Sequence, residues 1–330
     1  MVKKTSSYFE LGTKPRLSKR RVKKLSLPFA IISGAIILSF MIHGSGAEFA
    51  LEFPLNVSSP IEGAIDDGLD WVVVTFGGAF DTVSDAIKIV VGKLRDSLVW
   101  VPWPIMMVLV FLLAWKVASL RIAIISVIGL FILGMVNLWD PTMVTVSIMI
   151  VSVFIAIAAG VPIGVLAARN DTVDKIIQPI LDTMQTMPSF VYLVPGIMLF
   201  GLGNVGAIFA TILYAIPPCI RLTNLGIRQV DTHVVEAGRA FGSSNMQLLS
   251  KIQMPMALPT IMAGVNQTVM MALAMSTIAA MVGAGGLGIE VLRAMGQLRE
   301  GEAVIAGCAI VILAIIIDRI SQGYVQNRTI

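Results

Sequence analysis

Long apolar stretches separated by short polar segments constrain the fold of this chain more than any other feature. Of its 330 residues, 56% are hydrophobic and only 13% are charged. A helix needs about 20 apolar residues to cross the hydrocarbon layer, where backbone N–H and C=O groups must find partners without water. The chain is therefore predicted to be all-α, a polytopic membrane helix bundle.

The apolar stretches and their flanking charges predict about eight spans. Their expected bounds are 28–43, 102–117, 120–138, 142–168, 178–200, 204–220, 257–282 and 302–319. Lysine and arginine concentrate on the cytoplasmic side of membrane proteins. An inside N-terminus leaves only five basic residues outside, namely Lys88, Lys93, Arg95, Arg293 and Arg299. Both termini are therefore expected in the cytoplasm, and the protein in the inner (plasma) membrane.

The N-terminal region carries a basic tail, residues 1–27, expected to be cytoplasmic and disordered. The apolar run 28–43 has features of a cleaved signal peptide and of a retained anchor. The length of the basic region favours the anchor.

An extracytoplasmic segment, residues 44–100, is expected to follow. It begins with an exposed connector, 44–60. An apolar stripe at three- and four-residue steps then predicts an amphipathic scaffold helix. The stripe consists of Phe76, Phe80, Val83, Ile87, Val90, Leu94 and Leu98. Residues 101–320 are interpreted as the main membrane domain and 321–330 as a cytoplasmic tail.

A polar segment, residues 221–256, separates the sixth and seventh spans. Glu236-Ala237-Gly238 is followed after three residues by Gly242, and after nine more by Ile252-Gln253-Met254-Pro255. Because glycine adopts positive φ without steric cost, two short helices joined at Gly242 are expected. Pro255 is expected to end the second helix. The segment predicts a helical knob on the cytoplasmic face that binds a soluble partner.

This spacing resembles the ATPase-docking loop of bacterial ABC importer permeases. Their pattern is Glu-Ala-Ala, three residues, Gly, nine residues, Ile, one residue, Leu-Pro. Here Gly238 replaces the second alanine and Met254 the leucine, both conservative in size. The resemblance implies that the following residues dock on the ATPase: Glu236, Ala237, Gly238, Gly242, Ile252 and Pro255.

The same resemblance implies a type I importer fold. One subunit has too few spans to enclose a wide path, so a homodimer around a central pore is expected. Two ABC ATPase subunits would bind below, and a periplasmic or tethered substrate-binding protein would deliver cargo above. Membrane lipid is the remaining expected partner, and nucleic acid is not expected, since the basic residues lie at span ends and in the tail.

The fifth expected span contains an unusual stretch, Thr183–Pro195. Two prolines free backbone carbonyls beside polar side chains, which a membrane tolerates where a helix faces protein or a wet cavity. The stretch is interpreted either as pore lining or as proline-kinked helix packing. Its methionines and aromatic rings suit a quaternary ammonium cargo. The possible pore-lining residues are Met184, Gln185, Met187, Pro188, Phe190 and Tyr192.

Nucleotide chemistry is not expected on this chain. The run Gly283–Gly288 matches the dinucleotide pattern GxGxxG, but it follows an apolar helix instead of a strand, so a backbone turn or close packing is expected. No Walker A sequence occurs anywhere. The chain is therefore predicted to be no enzyme, with no catalytic residue, no metal and no cofactor, and ATP is expected on a partner subunit.

From about residue 70 to 320 the chain resembles the permease subunits of glycine betaine/proline betaine ABC importers. The resemblance implies binding-protein-dependent, ATP-driven import of such osmolytes, coupled through Glu236–Pro255. Choline, carnitine or methionine remain alternative cargoes. An ATP-independent secondary carrier is disfavoured, because the apolar spans hold no chain of carboxylates for proton or sodium coupling.

Overall fold

The computed structural model of the protein describes residues 19–45 and 57–326, and within them all regular structure is helical. In chain order the helices are α1 Lys19–Ser45, α2 Ser58–Trp100, α3 Trp103–Val117, α4 Leu120–Met135, α5 Trp139–Arg169, α6 Asp171–Thr186, α7 Leu193–Phe200, α8 Asn204–Arg228, α9 Thr232–Ala240, α10 Asn245–Gln247, α11 Met254–Ile278, α12 Leu287–Gly296 and α13 Glu300–Gln326. Short 3₁₀ turns cover Ser189–Tyr192 and Ala279–Val282, and a π-helical segment covers Leu248–Gln253. Most of the expected tail, the middle of the expected connector and residues 327–330 lie outside the described residues.

The chain divides into two compact units, and the division falls inside α2, after Gly68. The first contains α1, whose apolar stretch Ile31–Gly44 has almost entirely exposed side chains. Exposed apolar side chains over this length suit contact with lipid, as expected for an anchor.

The second unit is organised around α8, which lies between α5 and α11. Of its most apolar stretch, 67% is buried, against 22% for α13. Small residues permit the close packing. A Cβ added at Gly164 of α5 would lie 2.7 Å from the Ile220 carbonyl oxygen, and one at Gly264 of α11 would lie 3.1 Å from that of Pro218. Membrane helices associate through such close packing contacts. Hydrophobic burial does not drive this association, because apolar side chains are equally stable in lipid.

A second layer packs α3, α4 and α13 against this centre. Leu130 and Leu133 of α4, Leu273 of α11 and Leu313 of α13 share one buried cluster. The apolar positions from the expected third, seventh and eighth spans therefore meet in one core.

Helix α2 is longer than the sequence predicts, since it begins at Ser58 inside the expected connector. Its packing face agrees with the predicted stripe only in part, since Ile87 and Leu94 of the stripe pack against a buried cluster. Val91 is buried against Ile148 of α5 and Ile208 of α8. Phe76, Val83 and Val90 of the predicted stripe are exposed. Apolar side chains suit both lipid and protein neighbours, so their periodicity alone does not identify the packed face.

The expectation of eight full spans is corrected. Among the described residues, four helices are long and apolar enough to cross a membrane, or five if α2 and α3, bent by 104° at their junction, count as one. The first, third and fifth expected spans correspond to shorter apolar helices, Ile31–Gly44, Leu120–Met135 and Ser189–Phe200.

The fifth expected span, 178–200, is broken. Helix α6 ends at Thr186, a 3₁₀ turn follows Pro188, and α7 begins at Leu193. Met187 has extended backbone, with ψ of 137°, as residues before proline prefer. Proline also cannot donate the next helical hydrogen bond, so the helix stops where the sequence suggested only a kink.

Candidate functional site

A polar segment between α8 and α11, called the knob and defined as Asp231–Gln253, contains most of the predicted docking residues. Helix α9 begins at the Asp231 cap, whose carboxylate accepts a hydrogen bond of 2.8 Å from the backbone N–H of His233. Asp is a favoured N-cap because it satisfies a donor that the helix leaves unpaired.

The turn of the knob is built on Gly242, with φ of +79°. The N–H of Gly242 donates to the Arg239 carbonyl at 2.9 Å, and the N–H of Ser243 donates to the Gly238 carbonyl at 3.1 Å. These two bonds form a Schellman motif, which needs a left-handed residue after the helix. The predicted pair of helices joined at this glycine is confirmed.

The second helix of the knob starts with a capping box that the sequence analysis missed. The Gln247 side chain accepts from the N–H of Ser244 at 2.8 Å, and the Ser244 hydroxyl accepts from the N–H of Gln247 at 3.3 Å. A serine followed three residues later by glutamine is the readable pattern for this start.

Pro255 does not end this helix, so that expectation is wrong. The chain runs without a break from Asn245 through the π-helical segment into α11. The N–H of Met254 donates to the Leu249 carbonyl, five residues back. The π segment widens the turn that precedes Pro255, and this irregular turn accommodates the proline within a continuous helix.

The predicted docking residues divide into an inner and an outer set. Gly238 is buried, and a Cβ there would lie 2.7 Å from Leu248 Cδ2 and 2.6 Å from Ile252 Cδ1. Gly238 and Ile252 therefore hold the two helices of the knob together. Glu236, Ala237, Gly242 and Pro255 form the outer set, since all four are exposed.

The tip of the knob carries two exposed apolar side chains. Phe241 is 92% exposed and Met246 is 65% exposed, on either side of the Gly242 turn. Neither was predicted from the sequence, although an apolar residue beside a turn glycine in a polar loop indicates a surface that contacts a partner. Exposed large apolar groups on a polar surface mark interaction sites.

The base of the knob is packed firmly. Val230, which precedes the knob, and Leu249 within it share a buried cluster with Ile227 of α8 and Ala257 and Ile261 of α11. Half-buried side chains near the end of α5 cover this cluster, namely Val161, Val165 and Ala168. Displacement of the knob would therefore displace the ends of three helices.

The possible pore-lining residues in the broken helix differ in how far their side chains are buried. The Tyr192 hydroxyl donates to the Met184 carbonyl, which is the carbonyl that Pro188 leaves without its helical partner. Tyr192 is only 4% exposed and its ring stacks edge-on against Tyr214 with centroids 5.7 Å apart. Its ring is therefore buried away from any cargo in this structure.

The other predicted residues of this stretch remain accessible to differing degrees. Gln185, Pro188 and Phe190 are exposed, whereas Met184 and Met187 are half-buried against the cluster around Tyr192. The exposed three are therefore accessible to a pore or to another subunit.

The glycine run is a junction of helices at the end of α11 away from the knob. Gly283 and Gly286 have φ of +83° and +101°. The N–H of Gly285 donates to Asn204 Oδ1 at 2.9 Å, and that of Leu287 donates to Thr145 Oγ1 at 2.8 Å. The expected backbone turn and close packing are confirmed, since the starts of α5 and α8 are tied here to the end of α11.

Metal ligands are not grouped in the part of the chain that the structure describes. No three His, Cys, Asp or Glu side chains there are arranged to hold an ion. Cys219 is buried and Cys308 is exposed, and both are free thiols.

Comparison with known proteins connects this geometry to a family. A family model described as the binding-protein-dependent transport system inner membrane component matches residues 160–330. The permease protein ProW of the Escherichia coli K12 glycine betaine/proline betaine transport system is 44% identical over 264 residues, which cover 80% of this chain and 75% of ProW.

Two further relatives align with this chain over nearly their whole length. The glycine betaine transport permease OpuAB of Bacillus subtilis is 45% identical, over 80% of this chain and 94% of its own. The glycine betaine/carnitine transport permease GbuB of Listeria monocytogenes is 41% identical, over 80% and 95%.

A solved structure also matches the fold. The inward-facing MetNI methionine ABC transporter aligns with a TM-score of 0.52 and 25% identity, over 56% of this chain and 93% of that chain. The predicted type I importer fold is confirmed.

The bundle, its knob and these relatives define a permease, the multi-pass membrane component of a transport system. The chain belongs to the family of binding-protein-dependent transport system inner membrane components.

Proposed function

We propose that two copies of this chain form the translocation path of an ATP-driven importer for glycine betaine and related quaternary ammonium osmolytes. The observation that carries the proposal is the knob. It is a self-capped helix pair, rigidly based on three transmembrane helices, with apolar Phe241 and Met246 presented at its tip. Such a structure is suited to transmit force from a docked subunit.

The proposed motor is a pair of ABC ATPase subunits that bind the knob from the cytoplasm. Glu236 and Ala237 would face the ATPase together with the exposed tip, and Gly238 and Ile252 would keep the knob rigid. ATP would bind and be hydrolysed on those subunits and not on this chain. Both termini would lie in the cytoplasm with the knob, which agrees with the distribution of lysine and arginine.

The proposed cargo rests on the relatives. ProW, OpuAB and GbuB transport systems are named for glycine betaine, proline betaine or carnitine, and all three compounds carry a quaternary ammonium group. A periplasmic or tethered binding protein would supply most of the affinity, because an aromatic cage is an effective way to hold such a cation. Choline, carnitine and methionine remain competing cargoes.

The test is uptake by proteoliposomes that contain this chain, the ATPase and the binding protein. We expect accumulation of labelled glycine betaine that requires ATP inside and binding protein outside. Unlabelled proline betaine should compete, and methionine should not. Uptake that persists without ATP and collapses with the ion gradient would show a secondary carrier, and absence of flux for every compound would show a membrane scaffold.

A further inference from the structure

The last residue of α8, Arg228, joins three helices through a different nitrogen for each. Nη1 lies 2.8 Å from the Asp171 carboxylate of α6, Nη2 donates to the Ala167 carbonyl of α5 at 2.8 Å, and Nε donates to Asn224 of α8 itself at 2.9 Å. The side chain is 35% exposed. A guanidinium can make all these bonds at once because its donors form a fixed planar fork, which an ammonium lacks.

A second carboxylate completes the arrangement. Asp174 lies 3.6 Å from Arg228 and has only 16% of its side chain exposed. It accepts hydrogen bonds from Asn224 at 2.6 Å and from Gln178 at 3.1 Å. Asp174 is therefore a largely buried carboxylate held firmly by its hydrogen bonds, whereas Asp171 is 80% exposed and water screens its ion pair.

The bonds of Arg228 to α5 and α6 lie at the corner between these two helices. The α5–α6 corner consists of a single residue, Asn170, whose side chain caps α6 by accepting from the N–H of Thr172 at 2.9 Å. Ala167 lies in the last turn of α5, and Asp171 lies in the first turn of α6. Arg228 therefore holds this corner as one rigid piece, and its positive charge also suits the carbonyl end of α5.

On one side of Arg228 lies the knob and on the other lies the broken helix. Only Gln229 and Val230 separate Arg228 from the Asp231 cap, and Val230 is buried in the cluster at the base of the knob. Helix α6 leads directly to the break at Pro188. Among the described residues α6 and α8 share one other ion pair, Arg221 with Asp182, whose side chains are 43% and 66% exposed, against 35% for Arg228, 80% for Asp171 and 16% for Asp174.

We propose that Arg228 is a positioning residue that transmits movement of the knob to α6 and hence to the Met184–Tyr192 segment. The inference rests on the proposed function, because it assumes that a docked ATPase moves the knob. It adds that the guanidinium of Arg228 carries this movement to α6, with Asp171 and Asp174 as the groups that receive it.

The experiment measures cargo transported per ATP hydrolysed in proteoliposomes that contain all partners. For Arg228→Gln we expect normal recovery of the ATPase with the permease, near-normal ATP hydrolysis and a transport-to-hydrolysis ratio lowered about tenfold. Arg228→Lys should restore part of the ratio, because it keeps the charge and loses the fork. Arg169→Gln is the matched control, since Arg169 is a neighbouring exposed arginine whose side chain makes no hydrogen bond or ion pair among the described residues.

A second comparison separates transmission from general damage. Asp171→Asn with Asp174→Asn should lower the same ratio, and adding Arg228→Gln to that pair should lower it no further. An unchanged ratio in Arg228→Gln, losses that multiply in the combined variant, or loss of ATPase binding in Arg228→Gln would each overturn the inference. Failure of the unmodified complex to show ATP-dependent uptake would instead reject the proposed function.

Discussion

The two ends of the α8–α11 pair are closed in different ways. At one end the knob satisfies its own backbone locally, through Asp231, the Gly242 turn and the Ser244 capping box, and leaves apolar side chains exposed. At the other end the glycine junction is closed by bonds between distant segments, from Gly285 to Asn204 and from Leu287 to Thr145.

This difference indicates a separate role for each end of the helix pair. Local capping lets the knob keep its shape by itself, as the proposed docking on an ATPase requires. Long-range bonds at the junction fix three helix ends against one another, so that end is suited to act as a fixed point about which the bundle moves. Substitutions in the knob should therefore change coupling, and substitutions at the junction should change stability.

The largest effect is expected from Gly242→Asp. The carboxylate would lie in the docking surface, and ATP-coupled uptake should be abolished while membrane insertion stays intact. Gly242→Asn is the matched variant, because asparagine has nearly the same size, tolerates positive φ and carries no charge. Uptake and ATPase recovery measured on both variants would separate charge from backbone strain. Normal uptake by Gly242→Asp would remove the knob from its proposed role.

The next effect is expected from Phe241→Ala combined with Met246→Ala. If the tip anchors the ATPase, the free energy of ATPase binding should weaken by about 2 kcal/mol or more, since buried aromatic anchors dominate interfaces. The measurement is titration of purified ATPase onto permease in detergent. Met281→Ala serves as the control, because Met281 is 59% exposed at the opposite end of α11. Equal affinity for the double variant and the control would place the contact elsewhere on the knob.

A smaller effect, on stability and not on coupling, is expected from Gly286→Ala. At φ of +101° an L side chain is strained, and its Cβ would approach the backbone N of Thr145 to 3.1 Å. The cost should be about 1–3 kcal/mol, seen as a lower melting temperature in detergent. Gly296→Ala is the control, since a Cβ there meets nothing within 4 Å. A lowered transport-to-hydrolysis ratio at unchanged melting temperature would contradict the assigned division between the two ends.

The smallest effect is expected from Thr145→Val. It removes the hydroxyl that accepts from the N–H of Leu287 and should cost about 1–2 kcal/mol, because that buried donor is left unpaired. Thr183→Val tests the background, since the Thr183 hydroxyl bonds only its own helix, to the Pro179 carbonyl. Equal melting temperatures for the two variants would show that the long-range bond adds nothing to the junction.

Several features were readable from the sequence because each depends on residues close together along the chain. Apolar runs located the four helices among the described residues that are long and apolar enough to cross a membrane, and the spacing from Glu236 to Gly242 predicted the helix pair and its turn. The capping box of Ser244 and Gln247 was equally readable. The physical reason is that helix starts, helix ends and lipid-compatible length are set within a few residues.

Only the tertiary structure decided where those helices pack and break. Pro188 stops a helix whereas Pro255 does not, because a π-helical segment accommodates the second and the Tyr192 hydroxyl completes the break at the first. Gly238 faces inward and Phe241 outward, and Arg228 meets Asp171 from 57 positions away. Such contacts depend on which helix surfaces meet. The sequence alone does not specify these surfaces, because apolar residues suit lipid and protein neighbours equally.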